Sequence, residues 1–412
     1  MNPEYEELVA FASSLEIVDC HEHLVPEHVR LERKLDVFSL ISLYAFMDVV
    51  SSGLPRKGHA EGVGNDPFHD TRMSLQERWE AAWPYIERIR FGSYFRPTVI
   101  ALRDLYDIET LGPDTYEEAS RRIAQGNTKG VYRRILRDRC RIKTCLVQNG
   151  RISGQDPPEL FTPLYANTAS VDLDDLGFIE KLGRRQDENI EDLDTYLDLL
   201  DRELDEAHRQ RAIGFKTAAW ALPAPDMKRA RPDFRAVLQG APASLLLKST
   251  VFDRVAHKAQ AWGWPIAVHC GIWDDFRQVA PTNFIPTIKR YPELRFDLYH
   301  LGMPYARECT FVAKNYPNAF LNLCMTYMAS ETVTRQTVNE ILDTVPVSKV
   351  FGFGADYVHA VENVYGQLVM SRETLADALA ERIGRGRLDR SDAEYILQRW
   401  LHDNPAEFYG VA

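Results

Sequence analysis

The sequence predicts an α/β protein of the (β/α)8 class, a TIM barrel with a long helical insertion after its first strand. Two observations support this prediction. Eight short apolar or β-branched runs alternate with helical patterns, and several of the runs end in a polar side chain. Strands that alternate with helices form parallel sheets, and eight such units close into a barrel. The predicted strands cover residues 17–21, 143–147, 161–166, 212–218, 265–269, 295–300, 319–323 and 350–354.

Helical patterns dominate between the first and second predicted strands. Apolar residues recur at three- and four-residue steps over 35–43 and 74–83, which is typical of amphipathic helices. The Gly-, Pro- and His-rich stretch 51–70 predicts a loop, and a further helix is expected over 116–139. Residues 25–140 are therefore predicted to form a helical insertion.

The whole chain, residues 1–412, is predicted to be one barrel unit. Its length alone would suggest two or three domains, but α/β barrels commonly exceed that rule as a single domain. The sequence contains no internal repeat and no low-complexity segment. Beyond the insertion, clear helices are predicted at 189–210, 249–262 and 391–400.

The composition and charge of the chain limit the kinds of molecule that it is expected to bind. The formal net charge of -11 argues against a nucleic-acid binder, which needs clustered Lys and Arg. The sequence has no apolar run long enough for a membrane span and no basic start typical of a signal peptide, so we expect a cytoplasmic protein. Six scattered cysteines without paired spacing indicate neither a zinc knuckle nor disulfides. A small-molecule substrate is the expected partner, and the sequence leaves homo-oligomer formation open.

The clearest chemical motif is His21-Glu22-His23 at the end of the first predicted strand. Alternate residues of a strand point to the same side, so His21 and His23 can converge on one cation. The structural alternative is a pair of surface histidines in a turn. Polar residues at later strand ends favour the metal-binding interpretation.

Four further candidate ligands follow later predicted strands. Lys216 lies near the end of 212–218, His269 and His300 end their runs, and Asp356 follows 350–354. Barrel enzymes build their active sites at this rim, from the ends of different strands. Taken singly, each has a simpler explanation: a core histidine, a surface lysine, or a helix cap for the aspartate. The order of these residue types along the chain is what indicates a metal site.

This order of residues resembles that of the dinuclear-metal members of the amidohydrolase superfamily. The matching pattern is HxH on strand one, Lys on strand four, His on strands five and six, and Asp on strand eight. The closing segment from Ile396 to Tyr409 resembles the end of the amidohydrolase-2-type branch of this superfamily. The resemblance covers residues 15–24 and 141–412. The helical insertion is similar, more weakly, to that of the uronate isomerases.

The resemblance implies two divalent metal ions, with zinc expected and iron or manganese as alternatives. It implies that His21, His23 and Asp356 bind the more buried ion and that His269 and His300 bind the second. Lys216, carboxylated on its amine, would bridge the two ions. Carbamate formation needs a neutral amine, which burial favours, and two cations stabilise the resulting anion.

The predicted reaction is hydrolysis of a carboxylic ester, thioester, lactone or amide by a metal-bridged hydroxide, with Asp356 as the catalytic acid and base. Trp273, Arg96 and Arg103 are candidate substrate-binding residues, for an apolar group and a carboxylate. The alternatives are a mononuclear decarboxylase and an aldose–ketose isomerase like the uronate isomerases, neither of which uses the lysine bridge. A non-catalytic metal-binding barrel is a further alternative, although all six ligand positions are filled.

Overall fold

The computed structural model describes residues 3–41, 43–54, 66–148, 159–166, 168–174, 176–272 and 275–411. It contains eight parallel strands, and each lies within or overlaps one predicted run. Their bounds are β1 Ile17–Glu22, β2 Ile142–Val147, β3 Phe161–Pro163, β4 Phe215–Ala218, β5 Ile266–His269, β6 Phe296–Leu298, β7 Ala319–Asn322 and β8 Val350–Phe351. The fold is an α/β barrel, as the sequence predicted.

The strands follow one another around the barrel in chain order. One sheet has the order β1-β2-β3 and the other β4-β5-β6-β7-β8. Backbone hydrogen bonds close both gaps: the Tyr165 N–H donates to Gly214 O (2.9 Å) between β3 and β4, and the Cys20 N–H donates to Phe353 O (3.1 Å) between β1 and β8. All strand carboxyl ends therefore open onto one face.

Helices precede, interrupt and surround the barrel. Helix α1 (Pro3–Ser14) precedes β1. Between β1 and β2 lie α2 Glu27–Leu31, α3 Val37–Ile41, α4 Tyr44–Ser51, α5 Leu75–Ile89, α6 Arg96–Tyr106, α7 Tyr116–Gly126 and a π-helical segment at Arg133–Arg139. The later helices are α8 Ala169–Asp172, α9 Leu176–Gln186, α10 Leu193–Arg209, α11 Met227–Leu238, α12 Leu245–Trp262, α13 Ile285–Arg290, α14 Ala306–Asn315, α15 Thr326–Ala329, α16 Glu331–Thr344, α17 Val361–Gly384, α18 Arg390–Gln398 and α19 Asn404–Tyr409.

The helix predicted over 116–139 is in fact two helices. Helix α7 ends at Gly126, and the chain turns through Gly130, which has a φ of 85°. The Glu27 carboxylate then accepts the backbone N–H groups of Gly130 (2.8 Å) and Tyr132 (3.0 Å) at the start of the second helix. The break therefore depends on a cap from α2. The predicted loop 51–70 lies partly outside the described residues.

Two regions of apolar packing position the site. Inside the barrel, alternate strand residues such as Val18, Leu146 and Phe351 form a buried cluster beneath the strand carboxyl ends. The helices between β1 and β2 contain a second cluster around Phe38 and Trp79. Within the described residues, no helix combines the length and the apolar character that crossing a membrane requires.

Helices α6 and α17 pack with very little space between their backbones. A Cβ added to Gly366 of α17 would lie 2.1 Å from the carbonyl oxygen of Pro97 in α6. The Asn363 side chain of α17 also donates to Leu40 O (2.7 Å) of α3. The helices that follow β1 are therefore packed directly on the helix that follows β8.

We predict that Gly366→Ala lowers the free energy of unfolding by about 1–3 kcal/mol, the usual cost of overpacking. Gly384→Ala, in the last turn of the same helix, is the matched control because no described atom lies within 4 Å of its added Cβ. This control is expected to be neutral or to gain up to about 1 kcal/mol from helix propensity. Urea unfolding followed by circular dichroism compares the two, and equal stability of both variants would contradict the close packing.

Candidate metal centre

The two histidines of the HxH motif converge on one carboxylate. Residue His21 lies within β1 and His23 immediately follows it. Their Nε2 atoms lie 3.0 Å and 3.5 Å from Oδ1 of Asp356, in the loop after β8. The backbone N–H of Asp356 donates to the carbonyl oxygen of His21 (2.8 Å), which holds the two strand ends together. The alternation of side chains along β1 therefore brings both imidazoles to one point.

The other three candidate ligands come from neighbouring strands. The Lys216 amine, on β4, lies 3.5 Å from His23 Nε2. The rings of His269 on β5 and His300 after β6 have centroids 4.9 Å apart, and the His300 ring lies 5.4 Å from that of His21. The structure thus brings all six predicted ligand residues together at the carboxyl end of the barrel.

Burial varies across this cluster. The side chain of His300 is fully buried, and those of Lys216 and Asp356 are nearly so. The side chain of His23 is 28% exposed, and His269 is half-buried. The cluster therefore has a buried floor and a more open side at His23 and His269.

Burial keeps the imidazoles uncharged. It lowers the pKa of His21, His23 and His300 well below the ordinary value and that of His269 to about 4, with Lys216 or a neighbouring histidine adding to the effect. Burial also lowers the pKa of the Lys216 amine to about 8, partly offset by Asp356. A neutral imidazole is the form that coordinates a metal.

These residues fit a divalent metal ion. The ligand atoms of His21, His300 and Asp356 all lie within 4.8 Å of one another. Two atoms that each bond zinc at its usual distance with tetrahedral geometry lie about 3.4 Å apart, and the two histidine–Asp356 distances are 3.0 Å and 3.5 Å. The sequence analysis assigned His21 and Asp356 to one ion and His300 to the other, whereas the ligand atoms of all three lie close together. How the six residues are divided between two ions therefore stays a prediction.

One ring nitrogen of His300 is occupied by the segment that follows β7. Its Nδ1 lies 3.2 Å from the carbonyl oxygen and 3.3 Å from the Sγ of Cys324. The buried Nε2 has no hydrogen-bond partner in the described part of the chain. An unpaired buried polar atom is costly unless it binds something, which supports a ligand role for His300.

Several supporting residues were not predicted from the sequence. The Asp19 carboxylate accepts the N–H of His21 (3.1 Å), and the Glu22 carboxylate accepts the N–H of Tyr357 (2.9 Å), so these two acids of β1 hold backbone around the ligands. The Tyr44 hydroxyl of α4 donates to the carbonyl oxygen of Asp356. The acids were visible beside the histidines, whereas nothing local in the sequence connects Tyr44 to Asp356.

The predicted substrate-binding arginines do not join the cluster. The Arg96 guanidinium forms ion pairs with Glu331 and Glu373, and that of Arg103 pairs with Asp104 at 2.6 Å. Both guanidinium groups are paired with carboxylates of this chain, and their assignment to a substrate carboxylate stays a prediction. Trp273, the third candidate, lies outside the described residues.

We predict that His21→Ala reduces the metal content of the purified protein to a small fraction of the wild-type value, because it removes a buried nitrogen ligand next to Asp356. The exposed helical histidine His257 provides the matched control, and His257→Ala should retain the wild-type content. Elemental analysis of both variants after the same purification is the measurement. Unchanged metal content in His21→Ala would remove this residue from the site.

Known proteins share this architecture. A uronate isomerase from Thermotoga maritima superposes with a TM-score of 0.82 at 16% identity, covering 99% of this chain and 98% of the other. A glucuronate isomerase from Caulobacter crescentus gives a TM-score of 0.80 at 18% identity, over 99% and 94%. At such identities these similarities establish the fold.

Sequence comparison gives one partial match and one nearly complete match. The fluG protein of Emericella nidulans is 31% identical over 109 residues, which is 26% of this chain and 13% of that protein. The amidohydrolase family model matches residues 18–411. This match includes all six residues of the cluster and spans nearly the whole chain, and it shows that the protein belongs to the amidohydrolase family.

Proposed function

We propose that this protein is a metal-dependent hydrolase that cleaves a carboxylic ester, thioester, lactone or amide of a small organic substrate. Its two divalent ions, zinc by preference with iron or manganese as alternatives, would be held by His21, His23, Lys216, His269, His300 and Asp356. The observation that carries the proposal is the buried Lys216 amine, 3.5 Å from His23 Nε2. A bridging lysine distinguishes dinuclear hydrolysis from the competing reactions.

The surroundings of Lys216 suit carboxylation of its amine. No carboxylate of the described residues lies within ion-pairing distance of Nζ, and burial lowers the pKa of this group to about 8. About a tenth of the amine is therefore neutral at pH 7. The nitrogen lone pair forms an N–C bond with carbon dioxide, and one N–H proton leaves to solvent. The resulting carbamate anion supplies two oxygen ligands and the negative charge that two cations need.

Asp356 is the residue that moves the proton. When bound, divalent cations would make a water acidic enough to ionise near neutral pH and would polarise the scissile carbonyl. Oδ1 of Asp356, 3.0 Å from His21 Nε2, accepts the proton of the attacking water and returns it to the leaving oxygen, sulfur or nitrogen. The neutral imidazoles retain their lone pairs for coordination, and the open side at His23 and His269 admits the acyl group.

The second candidate is isomerisation of a uronate between aldose and ketose forms. The structural similarity to two isomerases over 99% of this chain, including the helices between β1 and β2, favours it. This reaction has no need of a carboxylated Lys216. Metal stoichiometry and the effect of changing Lys216 therefore separate the two functions, and they separate dinuclear hydrolysis from a mononuclear decarboxylase as well.

We predict that metal-free protein reconstituted with zinc binds two ions per chain and regains activity only when bicarbonate is present. Lys216→Met should bind at most one ion and show no response to bicarbonate. Lys349→Met is the matched control, because Lys349 is a second buried lysine whose pKa is lowered to about 8, but its amine donates to Ala313 and Tyr316 carbonyl oxygens. The control should keep the bicarbonate response.

The proposal is contradicted if the wild-type protein binds a single zinc ion, with the same affinity in the presence and absence of bicarbonate, and if Lys216→Met binds zinc equally well. Activity is measured in parallel on p-nitrophenyl esters, acyl thioesters, lactones, anilides and uronates. Turnover of a uronate, with none of the acyl substrates cleaved, would replace the hydrolase proposal with the isomerase.

Asp356→Asn should lower kcat by about a hundredfold to ten thousandfold, the range attributed to a positioned proton-transfer group, because the amide cannot accept the proton of water. The amide oxygen keeps the shape of the side chain and one ligand atom, so part of the metal is expected to remain. Steady-state kinetics on the best acyl substrate, with metal content measured on the same sample, provide the test. A wild-type kcat in this variant would exclude Asp356 as the proton carrier.

A further inference from the structure

The loops that follow β5 and β6 both pass through the left-handed region of the backbone. After His269, Gly271 and Ile272 have φ values of 69° and 68°. At the end of β6, His300, Leu301 and Gly302 have φ values of 62°, 51° and 60°. Non-glycine residues in this region are strained, and such strain persists only where the surrounding structure enforces it.

Backbone hydrogen bonds connect these two loops directly. The N–H of Ile272 donates to the carbonyl oxygen of Met303 (2.7 Å), and the N–H of Met303 donates to that of His300 (3.0 Å). On the other side, the N–H of Gly271 donates to Val279 O (2.9 Å). The turn that carries His300 is thus bonded to the segment that follows His269.

Gly271 lies at the closest point of this contact. A Cβ at this position would lie 2.0 Å from the carbonyl oxygen of Met303 and 2.7 Å from the carbonyl carbon of Gly302. Real Cβ atoms do not approach other atoms so closely, and both neighbours are backbone atoms that no side-chain rotation can move. Any other residue at 271 must therefore push the β6 loop away.

We propose that Gly271 is a positioning residue for the metal site: it allows the β5 and β6 loops to approach closely enough to set His269 and His300 at their observed separation. The inference rests on the proposed function in one respect, namely that these two histidines bind metal. The ring centroids of the two histidines lie 4.9 Å apart. Displacing the Met303 segment would move His300 relative to His269, and partners that orient metal ligands typically contribute about tenfold to hundredfold in metal affinity.

The chain offers a matched control for the substitution. Gly263 follows α12 at the opposite end of β5 and has a φ of 67°, almost the same as Gly271. No described atom lies within 4 Å of the position that its Cβ would take. Gly263→Ala therefore introduces the same left-handed strain as Gly271→Ala without the contact between the loops.

The test compares wild type, Gly271→Ala and Gly263→Ala by competition for Zn²⁺ with a chromophoric chelator and by the visible spectrum of the Co²⁺-loaded protein. Both variants should lose thermal stability. Only Gly271→Ala should bind zinc at least about tenfold more weakly and show altered cobalt absorption, which reports ligand geometry. Wild-type affinity together with a wild-type spectrum in Gly271→Ala would overturn the inference.

A second pair of variants keeps the inference testable if Gly271→Ala fails to fold. A Cβ at Gly302 would lie 2.8 Å from Cγ of Pro281, which is a side-chain atom. Gly302→Ala should weaken zinc binding, and adding Pro281→Ala, which removes that Cγ, should restore most of the affinity. If zinc affinity does not recover in the double variant, displacement of the loop after β6 is not the cause of the loss, and the inference is contradicted.

The two proposals fail in different ways. Absence of stoichiometric metal from the wild-type protein under all reconstitution conditions would overturn the proposed function. Metal binding by the wild type that is equally strong in Gly271→Ala and Gly302→Ala would overturn this inference alone.

Discussion

Burial of five nitrogen bases around one carboxylate is the constraint on which the site depends. Four imidazoles and the Lys216 amine meet Asp356 at the carboxyl end of the barrel, and burial lowers the pKa of each base. Desolvation opposes the charged form, so the four imidazoles are held as neutral lone-pair donors and part of the Lys216 amine is neutral near pH 7. Neutral nitrogen ligands beside one carboxylate are the donor set that a divalent cation binds. A barrel suits this arrangement because each base can come from a different strand end.

The same constraint explains why strained backbone is concentrated here. Two of the six candidate ligands, His300 and Asp356, are non-glycine residues with φ values of 62° and 67°. Each such residue costs on the order of 1–3 kcal/mol. Hydrogen bonds between successive loops offset part of this cost at roughly 0.5–1.5 kcal/mol each: Met325 N–H to Gly354 O (2.9 Å) joins the loops after β7 and β8, and Asp356 N–H to His21 O (2.8 Å) joins β8 to β1. The rim of the barrel is thus a connected set of backbone bonds, and the ligand directions follow from it.

Features that depend on residues close together in the chain could be predicted from the sequence, whereas features that depend on contacts between distant segments could not. Strand alternation and strand ends are local, so the eight strands and the convergence of the HxH motif could be predicted. The break at Gly126 depends on a carboxylate about a hundred residues away, Glu27, which caps the following helix. The ion pairs of Arg96 with Glu331 and Glu373, which lie on distant helices, also leave no signal in the sequence around Arg96. The left-handed turns after β5 and β6 likewise follow from contacts between loops, for which no single segment carries a signal beyond Gly271 and Gly302.

The helices between β1 and β2 look like an addition to the barrel, yet they hold the loop that carries Asp356 at both of its ends. At one end, the Tyr44 hydroxyl of α4 donates to the carbonyl oxygen of Asp356 itself. At the other, Arg30 of α2 and Tyr106 of α6 bind the buried Glu362 carboxylate at the start of α17, at 2.6 Å and 2.8 Å. A buried ion pair is costly to break from one side, so these contacts fix the loop between residues 356 and 362. Because Asp356 is both a candidate ligand and the proposed proton carrier, the helices that hold its loop are part of the metal site as much as the strands are.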